Sequence, residues 1–293
     1  SIGLVGSEMC IRDSNYNDIF SALAISKSLP SNTGTVIVKH TNPCGVSIIK
    51  NNLDSYKKAL ACDPISAFGG IVSCNFRITK SIAIELSKIF LEVIIGNGFD
   101  KESLKILKSK KNLRLIDASN YLMDTSINVN SMNDTLLVQS DDKLMFSKNN
   151  FRIVSKKKPS KSQLNNLIFA FNVCRFVKSN AIVIANNKST VGIGSGQTSR
   201  LDSCKIAIDK MNKFNLNIND ELVAASDAFF PFIDGIENLI QAGISAVIQP
   251  AGSIRDKEII NFANATGTVL IFSKTRHFKH CLLYTSDAAD DRV

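Results

Sequence analysis

Short apolar runs alternate with amphipathic segments along most of the chain. The run Thr35–Val38 is rich in β-branched residues and predicts a buried strand. A helix is predicted around Asp54–Ala61, and Gly69–Ser73 predicts the next strand. The alternation continues with a helix opened by Thr79, a strand at Val93–Ile95, a helix opened by Asp100 and a strand at Leu113–Ile116. The first part of the chain is therefore predicted to have the order βαβαβα.

A polar stretch separates this alternation from a second one. Residues 120–160 are rich in Asn, Ser, Asp and Lys and contain one predicted strand, Leu136–Val138. Ser160 and Gln163 then fit a capping box at the start of a helix that runs towards Val177. A strand at Ala181–Ala185 follows, after which the chain turns back on itself.

The last hundred residues repeat the pattern of helix and strand. Asp234 and Glu237 fit a second capping box, and Gly243 is predicted just past the end of that helix. Ser253–Asp256 predicts the cap of one more helix. The strands predicted in this part are Ala246–Ile248 and Thr268–Phe272. The alternation predicts an α/β fold of two lobes with mixed or parallel sheets.

The lobe boundaries are predicted from the polar stretch and from the two chain ends. Residues 15–130 form the predicted first lobe and residues 131–280 the second. Ser1–Ser14 shows neither the helical nor the strand period, and Cys281–Val293 (CLLYTSDAADDRV) resembles translated adaptor read-through in assembled sequence data. Both ends are expected to be a non-native head and a non-native tail, and they are left out of the fold prediction.

Composition excludes several classes of protein. With 293 residues, 44% of them hydrophobic and 21% charged, the chain is neither disordered nor collagen-like. Its apolar runs are strand-sized and too short to span a membrane, so we expect a soluble protein. The seven cysteines are irregularly spaced, with no two of them two residues apart, which is typical of reduced thiols in a cytoplasm. No secretory signal pattern begins the sequence.

The net charge leaves two classes of partner open. Lys+Arg 35 against Asp+Glu 26 gives 35 − 26 = +9, which suits anionic ligands. One hypothesis is a nucleic-acid-binding module, whose affinity would fall steeply with salt. The positive residues are scattered, however, with short runs only around Lys110 and Lys157. A solvated lysine-rich surface or a site for a phosphorylated small molecule fits the same pattern.

A lysine and a histidine follow the first predicted strand. Lys39 and His40 lie beyond its carboxyl end, where ligands bind in open α/β sheets. A neutral imidazole can accept a proton from a weak nucleophile while the neighbouring ammonium stabilises an oxyanion. Alternatively, His40 satisfies a loop carbonyl beside the Asn-Pro turn.

The segment His40–Cys44 also superficially resembles zinc deaminases, but it lacks their Glu and second Cys, so no zinc site is predicted.

Two further segments have both a functional and a purely structural interpretation. Gly192–Arg200 is a glycine-rich turn before a predicted helix and could hold an anion or simply pack tightly. Asp227–Phe232 places three phenylalanines around a proline, which could form aromatic core or stack on a flat heterocycle. Asp234 and Asn180 could likewise be helix caps.

Six motifs in fixed order together resemble one family over about residues 15–280. They are Lys39–Gly45 (KHTNPCG), Asp63–Gly70 (DPISAFGG), Val177–Asn180 (VKSN), Gly192–Arg200 (GIGSGQTSR), Ser226–Phe232 (SDAFFPF) and Thr275–His280 (TRHFKH). In this order they resemble the AICAR transformylase domain of the bifunctional purine-biosynthesis proteins. The resemblance implies transfer of a formyl group from 10-formyltetrahydrofolate, a co-substrate, to the 5-amino group of 5-aminoimidazole-4-carboxamide ribonucleotide (AICAR), a step of IMP biosynthesis.

The resemblance also implies a role for each matching residue. The catalytic residues would be His40 as proton acceptor, Lys39 as stabiliser of the transition state, and Asn180 as donor to the formyl oxygen or the carboxamide. The nucleotide contacts would be Gly69, Glu92, Arg200, Phe229 and Arg276. The folate contacts would be Leu201, Asp234, Ser253 and Ile254.

For the fold, the resemblance implies two cytidine-deaminase-like lobes without zinc. It also implies a cytosolic homodimer with active sites at the subunit interface, and neither a metal, a nucleic acid nor a membrane as partner. Relatives carry an IMP cyclohydrolase domain and an Arg-Tyr-Gly-x-Asn-Pro-His-Gln segment that helps to bind the substrate phosphate. Neither is found in this sequence, so the cyclohydrolase activity is not expected of it. An inactive, partly folded fragment is a third hypothesis.

Overall fold

The computed structural model describes residues 7–121, 127–132, 134–140, 142, 150–215, 221–277 and 279, with side chains from residue 15 onward except at 128 and 130–132. Its first half begins with a helix, followed by a strand hairpin and three helix–strand units. These elements are α1 (Ser7–Ser28), β1 (Thr35–Lys39), β2 (Asn42–Ser47), α2 (Asn52–Cys62), β3 (Gly70–Cys74), α3 (Lys80–Leu86), β4 (Leu91–Gly96), α4 (Lys101–Leu107) and β5 (Arg114–Asp117).

A hairpin and a short strand come next, and the second half then repeats the order of the first. The elements are β6 (Ile127–Met132), β7 (Thr135–Ser140), β8 (Phe151–Ile153), α5 (Lys161–Cys174), β9 (Ile182–Asn186), β10 (Ser189–Gly194), α6 (Arg200–Phe214), β11 (Leu222–Ser226), α7 (Ile233–Gln241), β12 (Ile244–Pro250), α8 (Asp256–Ala265) and β13 (Val269–Ser273). The succession from α5 to β13 matches that from α1 to β5.

Eleven of the described strands form one mixed sheet. Their order is β5-β4-β3-β1-β2-β10-β9-β11-β12-β13-β8, while β6 and β7 pair only with each other. In each half the hairpin and its next neighbour are antiparallel, and the outer strands β3–β4–β5 and β11–β12–β13 are parallel. The prediction of a separate sheet in each lobe is therefore wrong, because β2 pairs with β10 and joins the halves. The cytidine-deaminase-like character of the lobes and the lobe boundaries stay predictions.

Helices cover both faces of the sheet. α1 and α5 pack on one face, where a single hydrophobic cluster extends across both halves. The opposite face is covered by α2, α3 and α4 in the first half and by α6, α7 and α8 in the second, each set with its own cluster. Central strands are buried on both faces, which explains why their sequences read as continuous apolar runs.

The two halves are joined by polar contacts as well as by the sheet. Ser47 and Ser189 hydrogen-bond through their hydroxyls at 2.9 Å where β2 meets β10. Behind them, Lys210 of α6 contacts the buried Asp63 at the end of α2, with an Nζ–Oδ2 distance of 2.8 Å. Ser66 donates two further hydrogen bonds to the same carboxylate. Burial raises the pKa of Asp63, but Lys210 and Ser66 outweigh burial and hold this pKa below its ordinary value.

We expect Asp63→Asn to lower stability in a pH-dependent way. Because the pKa of Asp63 is lower in the folded state, its stabilisation is complete above the unfolded pKa of about 3.9 and is lost as the pH falls below it. The variant should lose about 1.5–3 kcal/mol at pH 7, the usual contribution of hydrogen bonds to a charged group. Urea unfolding at pH 7, 5, 4 and 3 should show the gap to the parent closing at acid pH. Glu258→Gln, which breaks the exposed pair with Arg255, is the control and should change little.

Most predicted elements are found within one or two residues of their predicted bounds, and the capping box of Ser160 and Gln163 is confirmed. The second capping box is wrong. α7 begins at Ile233 with Phe232 as its N-cap, and Asp234 lies inside the first turn, where its carboxylate accepts the N–H of Gly235. Ser253 likewise does not cap α8, because that helix begins only at Asp256.

Five described elements were not predicted from the sequence, namely α1, β2, β6, β8 and β11. α1 begins at Ser7, within the segment expected to be a non-native head. β2 occupies the segment predicted as a loop after the first strand, β6 and β8 lie within the polar stretch of residues 120–160, and β11 lies between α6 and α7, where no strand was predicted. Residues 1–6 and the predicted tail 281–293 lie outside the described residues. Among the described residues, no helix is both long and apolar enough to cross a membrane.

Candidate active site

Every residue predicted for the site lies at one rim of the large sheet. β1, β10, β11, β12 and β13 end at this rim, and β3, β4 and β9 begin there, because β3 and β9 run antiparallel to β1 and β11. We call it the upper rim. Its residues fall into two groups, one on the first half of the chain and one on the second.

The first group is built on the β1–β2 hairpin. Lys39 pairs with Asn42, so His40 and Thr41 form a two-residue turn, with φ angles of 52° and 61°. Positive φ at both turn positions matches the twist of a tight hairpin but is unfavourable for residues other than Gly, Asn and Asp. The side chain of Asp18 on α1 accepts the backbone N–H of His40 at 3.0 Å and that of Thr41 at 2.5 Å. The turn is thus held by a buried carboxylate.

The imidazole of His40 is exposed at the top of this turn and has no hydrogen-bond partner among the described residues. The interpretation of His40 as a residue that satisfies a loop carbonyl is therefore not supported. Its ring is available to a ligand.

Burial raises the pKa of the nearby Cys44 thiol to about 12, so this cysteine is protonated near neutral pH. No metal-holding group of His, Cys, Asp or Glu is found in the described part of the chain.

Lys39 lies beside Gly69 and a pair of aromatic rings. The Lys39 ammonium donates to the carbonyl of Phe68 at 2.9 Å, and a Cβ on Gly69 would lie 4.0 Å from that nitrogen. Gly69 has a φ of 71°, and its N–H donates to Phe90, whose ring centroid lies 5.4 Å from that of Phe68. An ammonium has three N–H donors, so Lys39 retains donors for a ligand.

Glu92 is the second residue of β4 and lies in the same region. Its carboxylate pairs with Arg114 at 3.2 Å, and both line a shallow pocket of about 310 Å³ with Phe90, Lys111, Asn112 and Leu113. This pocket extends the first group along the rim towards the β5 edge of the sheet.

The second group is built around a buried ion pair. Arg200, at the start of α6, donates to Asp227 at 2.5 Å and to the hydroxyl of Ser226 at 2.8 Å. Both charged side chains are shielded, with 8% of Arg200 and 1% of Asp227 exposed. Ser179 donates to the other carboxylate oxygen of Asp227. The ion pair therefore fixes the start of α6 against the end of β11.

Asn180 is held by the glycine-rich turn and by Arg200. Its side-chain amide donates to the carbonyls of Gln197 and Thr198 at 2.8 and 3.0 Å, and its oxygen accepts from Arg200 at 2.7 Å. Both amide hydrogens are thus engaged in this structure. The alternative role as a helix cap does not apply, because α5 ends at Cys174.

A cavity of about 460 Å³ opens within the second group. Six of the predicted site residues line it, together with backbone and aromatic groups of the two loops. Its lining consists of Asn180, Thr198, Ser199, Arg200, Leu201, Ala228, Phe229, Phe230, Pro231, Phe232, Asp234, Gly235 and Arg276. Cations lie on two of the rings, since Arg276 is 5.5 Å from the Phe229 centroid and Arg255 is 4.8 Å from that of Phe232. Such a cavity suits a flat, anionic ligand.

Ser253 and Ile254 do not line this cavity. Ser253 lies in the turn before α8, where its hydroxyl accepts the N–H of Arg255, and the Ile254 side chain is fully exposed. Phe278 and His280 of the last motif lie outside the described residues.

The segment Val177–Asn180 connects the two groups. The side-chain oxygen of Asn42 in the hairpin accepts the N–H of Lys178 at 3.0 Å, and the carbonyl of Lys178 accepts the N–H of Gly196 at 2.8 Å. The His40 turn and the glycine-rich turn are therefore attached to the same short segment.

Sequence reasoning missed two residues that organise the rim. Asp227 lies in a motif that was recognised, but its pairing with Arg200 could not be read from the spacing. Asp18 lies in a segment for which no helix was predicted. An acidic residue on the inner face of a helix, where apolar residues are expected, would have been the signal for it.

The sequence model of the AICARFT/IMPCHase bienzyme family matches residues 4–210. Among curated proteins, one from Aquifex aeolicus is 42% identical over 277 residues, which are 94% of this chain and 53% of the relative. One from Caldicellulosiruptor bescii is 44% identical over 273 residues, or 92% and 52% of the two chains. Both relatives are named bifunctional purine biosynthesis protein PurH. The chain thus spans about half the length of the curated relatives it matches.

Among solved structures, a mutant of NE0047 in complex with 8-azaguanine matches 47% of this chain and 89% of its own at 14% identity. The TM-score is 0.25, which is too low to relate the two folds.

Proposed function

The chain belongs to the AICARFT/IMPCHase bienzyme family, and on that premise we propose that it transfers a formyl group from 10-formyltetrahydrofolate to the 5-amino group of AICAR. The observation that carries the proposal is the gathering of all twelve predicted site residues at the upper rim, although they come from separate parts of the sequence. A site built from many separated segments is typical of an enzyme, where several groups must act on one substrate at once.

The first group supplies the proton acceptor. The amine of AICAR is conjugated with an imidazole carboxamide and is a poor nucleophile, so a base must accept its proton as it attacks the formyl carbon. His40 is exposed and free to do so. The attack converts the formyl carbonyl to a tetrahedral oxyanion, which the Lys39 ammonium would stabilise. Collapse of this intermediate breaks the bond to N10 of the folate, and that nitrogen takes up the proton that His40 accepted from the amine, which returns His40 to its neutral form.

The second group supplies further hydrogen-bond donors. Arg200 has five N–H donors, and three of them bind Ser226, Asp227 and Asn180. Both N–H groups of the Asn180 amide already donate to the carbonyls of Gln197 and Thr198. To donate to the formyl oxygen, the amide must therefore give up one of these two hydrogen bonds. We therefore assign to Asn180 both the support of Arg200 and, on substrate binding, the predicted donation.

The remaining predicted contacts divide between the two substrates. Gly69, Glu92, Arg200, Phe229 and Arg276 would bind the nucleotide, with Arg276 meeting its negative charge. Leu201, Asp234, Ser253 and Ile254 would bind the reduced folate, whose flat pterin suits the phenylalanine-lined cavity. No metal takes part in the proposed reaction.

Exposed apolar side chains at the upper rim support the proposed homodimer. Phe68, Phe232 and Ile254 are 59%, 51% and 104% exposed, although each lies in or next to a predicted site motif. Large apolar side chains exposed beside predicted site motifs fit surfaces that a second copy of the chain would cover. A partner subunit across the active site would cover them. The cytoplasm is the compartment that we propose, since the five described cysteines are unpaired.

The alternative of a nucleic-acid-binding module has less support. The run around Lys110 precedes β5 at the upper rim, whereas the run around Lys157 follows β8 at the opposite rim. A nucleic-acid surface would need a continuous basic stripe. Binding of RNA or DNA with a steep salt dependence would favour this alternative.

The proposal is tested by incubating the chain with AICAR and 10-formyltetrahydrofolate. We expect the absorbance change of the reduced folate and a formylated nucleotide in the mass spectrum, both dependent on AICAR. Gel filtration and thermal melts with and without AICAR show whether the chain is a folded dimer or an inactive fragment. A folded chain that binds AICAR but forms no formylated product would contradict the proposal.

A further inference from the structure

One carboxylate outside the predicted motifs binds the backbone of the turn that carries His40. Asp18 lies on α1, in a different element from the hairpin, and its two oxygens accept the N–H groups of His40 and Thr41 at 3.0 and 2.5 Å. Both turn residues have φ in the left-handed region, and Thr41 is β-branched, for which this conformation is especially unfavourable. The turn therefore depends on an acceptor that lies outside the hairpin.

Asp18 is an unfavourable choice if the only need is to close a turn. Its side chain is buried, with the residue 8% exposed, and burial raises its pKa above the ordinary 3.8 even though the two backbone N–H bonds act in the opposite direction. A buried carboxylate is more costly than a buried amide unless its charge or its second acceptor is needed.

The second hairpin of the chain shows what a purely structural turn requires. Asn187 and Lys188 join β9 to β10 with φ angles of 42° and 59°, nearly those of His40 and Thr41. Here the supporting residue is Asn166 on α5, whose amide oxygen accepts the N–H of Lys188 at 2.9 Å. One neutral oxygen is therefore sufficient for this turn conformation, and the second hairpin contains no predicted site residue.

We propose that Asp18 is a positioning residue that fixes the backbone of His40 and Thr41 so that the imidazole points at the substrate. The inference rests on the proposed formyl transfer for its effect on rate. One hydrogen bond would keep the turn closed. Because the carboxylate accepts both N–H groups, it also fixes the orientation of the turn. Because His40 makes no hydrogen bond with its ring among the described residues, its backbone is the part of it that the fold controls.

The experiment compares Asp18→Ala and Asp18→Asn with Asn166→Ala, the matched variant in the second hairpin. Misplacing a reacting group by about 1 Å costs roughly 10²-fold in rate. We expect kcat to fall by about that factor in Asp18→Ala, and less in Asp18→Asn, which keeps one oxygen. KM for AICAR should change little, because Asp18 does not touch the substrate. Asn166→Ala should lower the melting temperature without lowering kcat.

Two outcomes would overturn the inference. Asp18→Ala could retain the parental kcat, or Asn166→Ala could lower kcat as much as Asp18→Ala does, which would indicate general loosening of the fold. If the parent chain transfers no formyl group, the proposed function fails, and amide hydrogen exchange then tests the positioning by itself. Exchange at His40 and Thr41 must become faster in Asp18→Ala and in Asp18→Asn, and unchanged exchange would refute the role of Asp18.

Discussion

His40→Asn is expected to abolish most of the formyl transfer while leaving the fold intact. Asparagine tolerates the left-handed conformation of this turn, and the corresponding position of the second hairpin already holds Asn187. The backbone N–H at position 40 can still donate to Asp18, so the turn is preserved. Only the imidazole is lost. Removal of a general base lowers kcat by about 10²–10⁴-fold.

The measurement is the initial rate of formyl transfer at saturating AICAR and folate, with the melting temperature as the check on folding. Lys188→Ala alters the second turn, which lies at the opposite rim of the sheet, and should keep the parental rate. A His40→Asn protein that turns over as fast as the parent would remove His40 from the mechanism. A rate loss accompanied by a large drop in melting temperature would instead indicate that the side chain supports the turn.

The central strands could be predicted because their sequences decide their structure locally. Thr35–Val38 and Ala181–Ala185 are short runs of β-branched and small apolar residues, and both are buried strands in the sheet. The capping box of Ser160 and Gln163 is also local, since both hydrogen bonds lie within one turn. Such elements need no knowledge of the tertiary structure.

The β2 strand could not be predicted, because its residues suit close packing rather than strand propensity. The segment Asn42–Ser47 contains a proline and a glycine, both of which weaken a strand. Gly45 is needed because α2 crosses directly over it, and a Cβ there would lie only 1.9 Å from the carbonyl oxygen of Ala59. That contact is between segments far enough apart that no local pattern reveals it.

The residues of the candidate site could be named from the sequence as a prediction, but the contacts among them could not. Motif order placed Lys39, His40 and Arg200 in the site, and the structure places them on one rim. The sequence did not show that Asn180 has both amide hydrogens engaged, or that Asp18 supports the His40 turn from α1. These relations depend on how α1 and the glycine-rich turn pack against the sheet.

Removal of the Asp227 carboxylate is expected to be the most destabilising change at the site. Asp227→Ala would leave the Arg200 guanidinium buried without its counter-charge and the Ser179 hydroxyl without its acceptor. Breaking a buried ion pair from one side typically costs about 3–5 kcal/mol. Arg200→Leu should be similarly costly, because it leaves the Asp227 carboxylate buried without its counter-charge. Urea unfolding at pH 7 measures both free energies.

A double-variant cycle separates the ion pair from the packing around it. If the pair itself is responsible, Arg200→Leu combined with Asp227→Ala should destabilise the chain by less than the sum of the two single changes, since neither charge remains buried alone. Arg114→Ala, which breaks the exposed pair with Glu92, is the control and should cost less than about 1 kcal/mol. Strict additivity of the two single effects would show that Arg200 and Asp227 stabilise the fold independently, and that the rim is not organised around their contact.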